Sequence, residues 1–179
     1  MEVLTDPLDA RRRASGIRLL ALDVDGVLTA GELLYTSNGE EIKVFNILDG
    51  LGVKLLQDHG IEVAIISGRQ SPMLKRRADE LGIQRLIQGR EDKRTALLAL
   101  AADCGVALEY TAYAGDDLPD LAAVRDAGLG ITVPNAHPAL RRHARLCTER
   151  RGGEGAVREI ADYLLDAQDH LESAIAAWL

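Results

Sequence analysis

Residues 17–27, Ile-Arg-Leu-Leu-Ala-Leu-Asp-Val-Asp-Gly-Val, form an apolar run that ends abruptly at two aspartates and a glycine. Such a run is typical of a parallel strand that is covered on both faces. Because open α/β sheets bind ligands beyond the carboxyl ends of their strands, this strand is expected to deliver Asp23 and Asp25 to a site. Side chains two residues apart in a strand lie on the same face. Two carboxylates this close favour a hard cation between them, so the stretch suggests a Mg²⁺ site.

Two later strand-to-helix junctions carry groups that can hold a phosphate. An apolar strand over residues 62–66 ends in Ser67-Gly68-Arg69, where a hydroxyl and free backbone N–H groups precede a helical pattern. Lys93 opens another helical stretch, at the end where a lysine complements the helix dipole poorly, and this favours a nearby anion as its partner. Each feature also has an ordinary structural explanation, as a turn or as a solvated surface lysine, so neither decides the function alone.

A fourth segment adds three carboxylates at another strand end. A short strand over residues 110–114 is followed by Gly115-Asp116-Asp117-Leu118-Pro119-Asp120. Asp117 is also suited to cap the helix that follows, whose first turn holds a proline. The acids of this segment are therefore expected at the same edge of the sheet as the first aspartate pair.

In their order, their placement at strand ends and their residue types, these four segments resemble the motifs of the haloacid dehalogenase superfamily of phosphotransferases. Asp23-Val24-Asp25-Gly26-Val27 resembles the first motif, Ser67 the second and Lys93 the third. Gly115-Asp116-Asp117-Leu118-Pro119-Asp120 resembles the fourth. The resemblance implies an α/β fold, with a three-layer, Rossmann-like, doubly wound parallel sheet, and Mg²⁺-dependent phosphoryl transfer.

The same resemblance implies that three aspartates carry the chemistry and the metal. Asp23 would attack phosphorus and form an aspartyl-phosphate, while Asp25 would protonate the leaving oxygen and later activate water. Mg²⁺ would be held by Asp23, by the backbone carbonyl of Asp25 and by Asp116.

Five further residues would support these three. Ser67, Gly68 and Lys93 would bind the phosphate oxygens, and Lys93 is also counted among the catalytic residues. Asp117 and Asp120 would lie behind the metal ligands, where they would support the metal shell and orient Lys93.

Over most of its length the sequence resembles a narrower group, the family of 3-deoxy-D-manno-octulosonate 8-phosphate phosphatases, a capless and tetrameric branch of the superfamily. The match rests on residues 31–49, on Ser67-Gly68-Arg69 and on the glycine-rich segment 152–159. It implies hydrolysis of that sugar acid phosphate in lipopolysaccharide precursor biosynthesis. Arg69 and Arg158 are the candidate substrate-binding residues, Arg158 either in its own subunit or from a neighbour.

A β-hairpin is predicted over about residues 32–45, inserted after the first strand. Two strand-like runs, 33–36 and 41–45, flank Ser37-Asn38-Gly39-Glu40, a typical turn sequence. No inserted cap domain can be found, so a neighbouring subunit is expected to help close the site. The resemblance implies a homotetramer that is built through the hairpins and the C-terminal tail. The apolar stripe of that tail is equally compatible with packing on its own domain.

The substrate is the least determined feature. Arg69 agrees with the octulosonate phosphatases, whereas their relatives that act on 2-keto-3-deoxy-nononic acid 9-phosphate carry glutamate there. Leu48 departs from the octulosonate pattern, which has arginine at that position. Two classes of protein without phosphatase activity are also considered, namely a non-catalytic, phosphatase-like oligomerisation module and a receiver domain. The intact set of motif residues argues against the module, and Asp25, a second acid for which a receiver has no need, argues against the receiver.

Length and composition bound the remaining possibilities. The 179 residues suit one phosphatase domain over residues 15–168, with a flexible N-terminal arm (1–14) and a helical C-terminal tail (169–179). The net charge of −7 argues against nucleic acid. Without an 18-residue apolar run or a signal peptide, no membrane association is expected, and the predicted location is the cytoplasm. The two cysteines are expected to be reduced and isolated.

Overall fold

A seven-stranded sheet with helices on both faces organises the chain, and a two-stranded hairpin stands apart from it. The computed structural model describes all residues, 1–179. The strands are β1 (Glu2–Val3), β2 (Leu19–Leu22), β3 (Leu34–Tyr35), β4 (Glu41–Ile42), β5 (Glu62–Ile66), β6 (Arg85–Ile87), β7 (Thr111–Ala114), β8 (Leu129–Thr132) and β9 (Leu146–Cys147). The helices are α1 (Pro7–Ala14), α2 (Ile47–Asp58), α3 (Pro72–Glu80), α4 (Lys93–Asp103), α5 (Leu121–Asp126), α6 (Pro138–His143), α7 (Ala156–Ala167) and α8 (Leu171–Ala176).

The sheet has the order β1-β9-β8-β7-β2-β5-β6, and every pairing is parallel except that of β1 with β9. Strand β2 lies between β5 and β7, and all four of its residues are buried. Leu20 and Leu22 face the core formed with α1, α2, α3 and α7, whereas Leu19 and Ala21 face the core formed with α4, α5 and α6. This alternation produces the three layers that the sequence predicted, with no cap domain.

The hairpin is present where it was predicted, although its paired segments are shorter. Strands β3 and β4 pair only with each other, in a register that places Tyr35 opposite Glu41. Gly39 adopts a φ of 81° in the turn, a conformation that favours glycine. The chain then enters α2, which Asn46 caps by accepting a hydrogen bond from the backbone N–H of Leu48.

The expectation of a flexible N-terminal arm over residues 1–14 disagrees with the structure. Strand β1 extends the sheet, and α1 packs against the domain through Ala10 and Ala14. Asp6 caps this helix, and Arg11 pairs with Asp166 of α7 at 2.6 Å. The helix was missed because its buried face consists of small alanines rather than of large apolar residues.

The C-terminal tail contains α8. Ala174 is buried against the domain, while Ile175 and Trp178 remain exposed. The tail thus packs on its own chain with part of its apolar stripe and leaves the rest uncovered. None of the helices has the length and hydropathy needed to cross a membrane.

Candidate active site

A cavity of about 740 Å³ lies at the carboxyl edge of the sheet, beyond β2, β5 and β7. No hydrophobic side chain lines it, which suits a phosphorylated, hydroxyl-rich ligand better than an apolar one. Its lining residues are Asp23, Asp25, Gly31, Ser67, Gly68, Arg69, Glu91, Lys93, Asp116, Asp117, Pro119 and Asp120. Every residue that the sequence singled out for catalysis, phosphate or metal is in this set.

Four lining side chains and the buried Tyr113, which contacts one of them, form what we call the strand-end cluster: Asp23, Lys93, Tyr113, Asp116 and Asp120. The Lys93 ammonium lies 2.6 Å from Asp23 Oδ1 and donates a hydrogen bond of 2.7 Å to Asp120 Oδ1. Tyr113 donates to the same oxygen at 2.7 Å. The anion that was expected near Lys93 is therefore a pair of aspartates.

Asp120 organises the cluster from behind. Its Oδ2 accepts hydrogen bonds from the backbone N–H groups of Asp116 and Asp117, each at 3.2 Å. Asp117 caps the short 3₁₀ turn Leu118–Asp120, as the sequence suggested. Both oxygens of Asp120 are thus occupied by protein donors.

The cluster holds more negative charge than its lysine balances. Burial, followed by repulsion from Asp120, raises the pKa of Asp23 to about 8 although Lys93 opposes the shift. Burial and Asp120 also raise the pKa of Asp116 to about 6. Burial works against the charge on Lys93, but Asp23 and Asp120 outweigh it, so its pKa is raised. A divalent cation would supply the missing positive charge.

The donor set fits Mg²⁺. Carboxylate oxygens of Asp23, Asp116 and Asp120 all lie within 4.8 Å of one another, and carboxylates are the ligands that Mg²⁺ prefers. Gly26 adopts a φ of 98°, and a Cβ at this position would collide with the Asp116 carboxylate. Glycine is therefore required for the loop after β2 to pass so close to Asp116.

The turn after β5 presents a hydroxyl and backbone to the cavity. Ser67 is buried, and its Oγ accepts a hydrogen bond of 3.2 Å from the backbone N–H of Arg69. At Gly68 an added Cβ would meet no atom within 4 Å, so the space beside this backbone is open. An anion can therefore approach Ser67 and Gly68 from the cavity side.

The hairpin places three polar residues that the sequence reasoning missed against Asp25 and Arg69, which line the cavity: Tyr35, Glu41 and Lys43. Lys43 Nζ lies 2.5 Å from Asp25 Oδ1 and 3.5 Å from a Glu41 oxygen. Arg69 donates to Tyr35 and to Glu41, each at 3.3 Å. The sequence did indicate that residues 41 and 43 share a face of the predicted strand. Nothing in it indicated which way that face points.

The glycine-rich segment holds the loop that follows β2. Asn135 donates to the carbonyl oxygen of Gly26 and accepts from the backbone N–H of Gly152, both at 2.9 Å. A Cβ at Gly152 would collide with that same carbonyl oxygen. Gly153 donates to the carbonyl of Val27 at 3.0 Å. In its own chain, this segment therefore contacts the backbone beside the aspartates.

Two positions that the sequence analysis singled out, Arg158 and Leu48, do not line the cavity. Arg158 pairs with Asp162 at 2.7 Å along α7 and does not reach the cavity of its own chain. Leu48 lies near the start of α2, is exposed and does not line this cavity. Arg69, in contrast, lines the cavity.

Comparisons with known proteins agree with this geometry. A family model described as haloacid dehalogenase-like hydrolase matches residues 85–160. The 3-deoxy-D-manno-octulosonate 8-phosphate phosphatase of Yersinia pestis is 46% identical over 166 residues, which cover 93% of this chain and 89% of the relative. The corresponding protein of Escherichia coli K12 is 45% identical, with coverages of 93% and 88%.

Solved structures of such phosphatases superpose closely on this chain. The Moraxella catarrhalis enzyme, in complex with a magnesium ion, a phosphate ion and 3-deoxy-D-manno-octulosonate (KDO), has a TM-score of 0.96 at 46% identity. The alignment covers 97% of this chain and 100% of that one. The cobalt-bound Haemophilus influenzae enzyme has a TM-score of 0.88 at 40% identity, with coverages of 92% and 99%.

Proposed function

The chain belongs to the haloacid dehalogenase-like hydrolases, in the family of the 3-deoxy-D-manno-octulosonate 8-phosphate phosphatases, and from this membership we propose that it hydrolyses that sugar acid phosphate with Mg²⁺. The products are the free sugar acid and phosphate, a step of lipopolysaccharide precursor biosynthesis. The observation that carries the proposal is one polar cavity that gathers Asp23, Asp25, Ser67, Lys93 and Asp116.

Two aspartates perform the reaction in two steps. In the first, a carboxylate oxygen of Asp23 bonds to phosphorus, and the bond from phosphorus to the sugar oxygen breaks. The electron pair of that bond goes to the sugar oxygen, which takes a proton from Asp25. In the second, water attacks the phosphorus of the aspartyl-phosphate and gives its proton to Asp25, and the carboxylate of Asp23 leaves as phosphate is released.

Mg²⁺, when bound, supplies charge that offsets the phosphoryl oxygens and the crowded carboxylates. We assign its protein ligands as Asp23, Asp116 and the backbone carbonyl of Asp25. Asp120 is assigned a supporting role, because both of its oxygens already accept hydrogen bonds from a lysine, a tyrosine and two backbone amides. Asp117 also supports the site, through its cap of the turn that carries Asp120.

The transferred phosphoryl group is held by three residues in this proposal. Ser67 and the backbone N–H of Gly68 approach it from the turn after β5, where the space beside Gly68 is open. Lys93 faces the nucleophile at 2.6 Å and is placed to neutralise the charge that builds up between Asp23 and the phosphoryl oxygens.

Arg69 is the proposed contact for the carboxylate of the sugar acid. It lies at the mouth of the cavity and is exposed, so its guanidinium can exchange part of its contact with Glu41 for a bidentate pair with a substrate carboxylate. Arg158 takes part only if a neighbouring subunit presents it, since it does not reach the cavity of its own chain.

The proposed assembly is a homotetramer built through the hairpins and the C-terminal tail. Apolar side chains on and beside the hairpin are exposed in the single chain, and exposed apolar patches of this kind mark interaction surfaces. They are Leu33, Leu34, Tyr35, Ile42, Val44 and Ile47. Trp178 in the tail is 71% exposed. We also propose the cytoplasm as the location, in keeping with two unpaired cysteines.

A substrate panel tests the function. Phosphate release with Mg²⁺ is measured for the octulosonate 8-phosphate, the nononate 9-phosphate, hexose phosphates and phosphoserine. A preference for the octulosonate of about 10²-fold in kcat/KM, or about 2.7 kcal/mol, is expected. A preference for the nononate would instead support the alternative substrate. No turnover of any phosphomonoester by the wild type would favour the non-catalytic module.

A further inference from the structure

The ammonium group of Lys43 lies between the hairpin and the loop that follows β2. Only 4% of its side-chain surface is exposed, and its Nζ lies 2.5 Å from Asp25 Oδ1. The proposed function gives this lysine no role. A lysine loses a large part of its hydration and its rotamer freedom at such a position, and a nearby carboxylate has to compensate for that loss.

Of the cations around Asp25, Lys43 alone lies within hydrogen-bonding distance. The Nε of Arg69 is 4.0 Å from the other carboxylate oxygen, Oδ2, and it faces solvent at the cavity mouth. The hydrogen bond from Lys43 is also the one side-chain hydrogen bond that the Asp25 carboxylate accepts. Without it, the carboxylate can rotate about its side-chain bonds and turn towards water.

We propose that Lys43 is the positioning residue for Asp25, an inference that rests on the proposed function. Lys43 holds Oδ1 and so leaves Oδ2 to exchange the proton with the sugar oxygen and then with water. The bonds that form and break are those of the two steps described above, and Lys43 itself gains and loses no proton. General acid–base catalysis depends on this kind of geometry, because the proton must be within hydrogen-bond reach of the reacting oxygen.

The proposal also ties the hairpin to the chemistry. Lys43 follows β4 directly, and Glu41 in the same strand contacts both Lys43 and Arg69. A hairpin that moves away from the sheet therefore takes the partner of Asp25 with it, while the strand-end cluster stays in place.

The test compares leaving groups that do and do not need a proton. Lys43→Met is expected to lower kcat/KM for the octulosonate 8-phosphate by about 10²-fold, the lower end of what general acid–base catalysis contributes. For p-nitrophenyl phosphate, kcat/KM is expected to change less than about 5-fold, because nitrophenolate leaves unprotonated and kcat/KM reports only the steps up to its release.

Hydrolysis of the aspartyl-phosphate also uses Asp25, so Lys43→Met should slow that step with both substrates. A burst of nitrophenolate, close to one equivalent per active site, is expected, together with phosphorylated protein in acid-quenched samples measured by intact mass. A purely structural role for Lys43 would lower active-site content and would give no such burst.

Lys75→Met is the matched control, because it removes a lysine–aspartate pair of the same length, 2.5 Å to Asp79, that is exposed on α3. Lys75→Met should leave kcat/KM unchanged for both substrates. Equal losses on both substrates in Lys43→Met, or no loss, would overturn the proposal. If Lys43→Met shows no cooperative thermal transition, the same comparison of leaving groups is made with Lys43→Arg. This variant keeps the charge but not the geometry. Failure of the proposed function is separate, since it would appear in the wild type as a lack of turnover of the octulosonate 8-phosphate.

Discussion

The strand-end cluster and the hairpin both contact residues that line one cavity but are stabilised in opposite ways. In the cluster, Lys93, Tyr113 and Asp120 are buried and hydrogen-bonded within the domain. In the hairpin, β3 and β4 pair only with each other, and Leu34 and Ile42 are exposed. A two-stranded hairpin is at best marginally stable alone in water. The cluster is thus built into the sheet, whereas the hairpin, which contacts Asp25 and Arg69, is an element that needs further contacts.

The largest effect is expected from the nucleophile itself. Asp23→Asn should lower kcat by at least about 10⁴-fold, because an amide does not form the acyl-phosphate. Phosphate release with the octulosonate 8-phosphate measures it, and the circular dichroism spectrum should stay that of the wild type. Substantial residual turnover in Asp23→Asn would mean that another residue is the nucleophile. The strand-end cluster would then not contain the chemistry.

A smaller effect is expected from the hairpin surface. Val44 is 65% exposed, and Val44→Asp should dissociate the proposed homotetramer, since a desolvated charge is costly in an interface. Light scattering after gel filtration reports the mass, and kcat/KM for the octulosonate should fall by about 10-fold to 10²-fold as water enters the site.

Leu8→Asp is the control for that experiment, because Leu8 is 81% exposed but lies on α1, away from the hairpin. Its mass and activity should equal those of the wild type. A Val44→Asp protein that stays assembled and fully active would contradict the role of the hairpin as an interface.

The pH dependence of stability distinguishes the cluster from an ordinary surface. The raised pKa values of Asp23 (about 8) and Asp116 (about 6) mean that the folded, metal-free protein binds more protons than the unfolded chain. Its stability is therefore full below the ordinary aspartate pKa and falls as the pH rises through 6 and then 8. Mg²⁺ binds the ionised carboxylates, so it should stabilise more at high pH than at low pH.

Thermal unfolding with Mg²⁺ and with a chelator measures this effect. The stabilisation by Mg²⁺ is expected to be larger at about pH 8.5 than at about pH 5.5, by about 1–3 kcal/mol. Asp116→Asn removes one of the crowded charges, so its metal-free form should lose less stability as the pH rises. The same stabilisation at both pH values would be inconsistent with metal binding at this cluster.

The smallest effect is expected from Tyr113. Tyr113→Phe removes one hydrogen bond to Asp120, which retains Lys93 as a partner, so kcat should fall about 10-fold, or about 1.4 kcal/mol. The KM should stay within about 2-fold, because the tyrosine acts through Asp120 and Lys93 rather than on the substrate. A large rise in KM with unchanged kcat would mean that the cluster is less rigid than its contacts indicate.

The strand-end cluster was predictable because its signals are local. An apolar run that stops at an aspartate identifies a strand end, and parallel strands bring such ends to one edge. Asp23, Ser67, Lys93 and Asp116 were all placed in this way, and the structure brings them to one cavity. The resemblance to the superfamily then supplied the roles, which spacing alone left open.

The hairpin contacts were not predictable in the same way. Lys43 reaches Asp25 across 18 residues, and the contact depends on how the hairpin folds back over the sheet. Helix α1 was missed for a different reason, since alanines carry little apolar periodicity. Arg158 was singled out from the glycine-rich segment, but α7 turns its side chain towards Asp162.

The most direct test of the account is to locate the phosphoryl group on the protein. The wild type is mixed with the octulosonate 8-phosphate and Mg²⁺, quenched in acid within one turnover, digested and analysed by mass spectrometry. The account predicts one phosphoryl group on Asp23, sensitive to hydroxylamine as an acyl-phosphate is, and absent from Asp23→Asn. Phosphate release without any phosphorylated aspartate, or with the phosphoryl group on another residue, would contradict it.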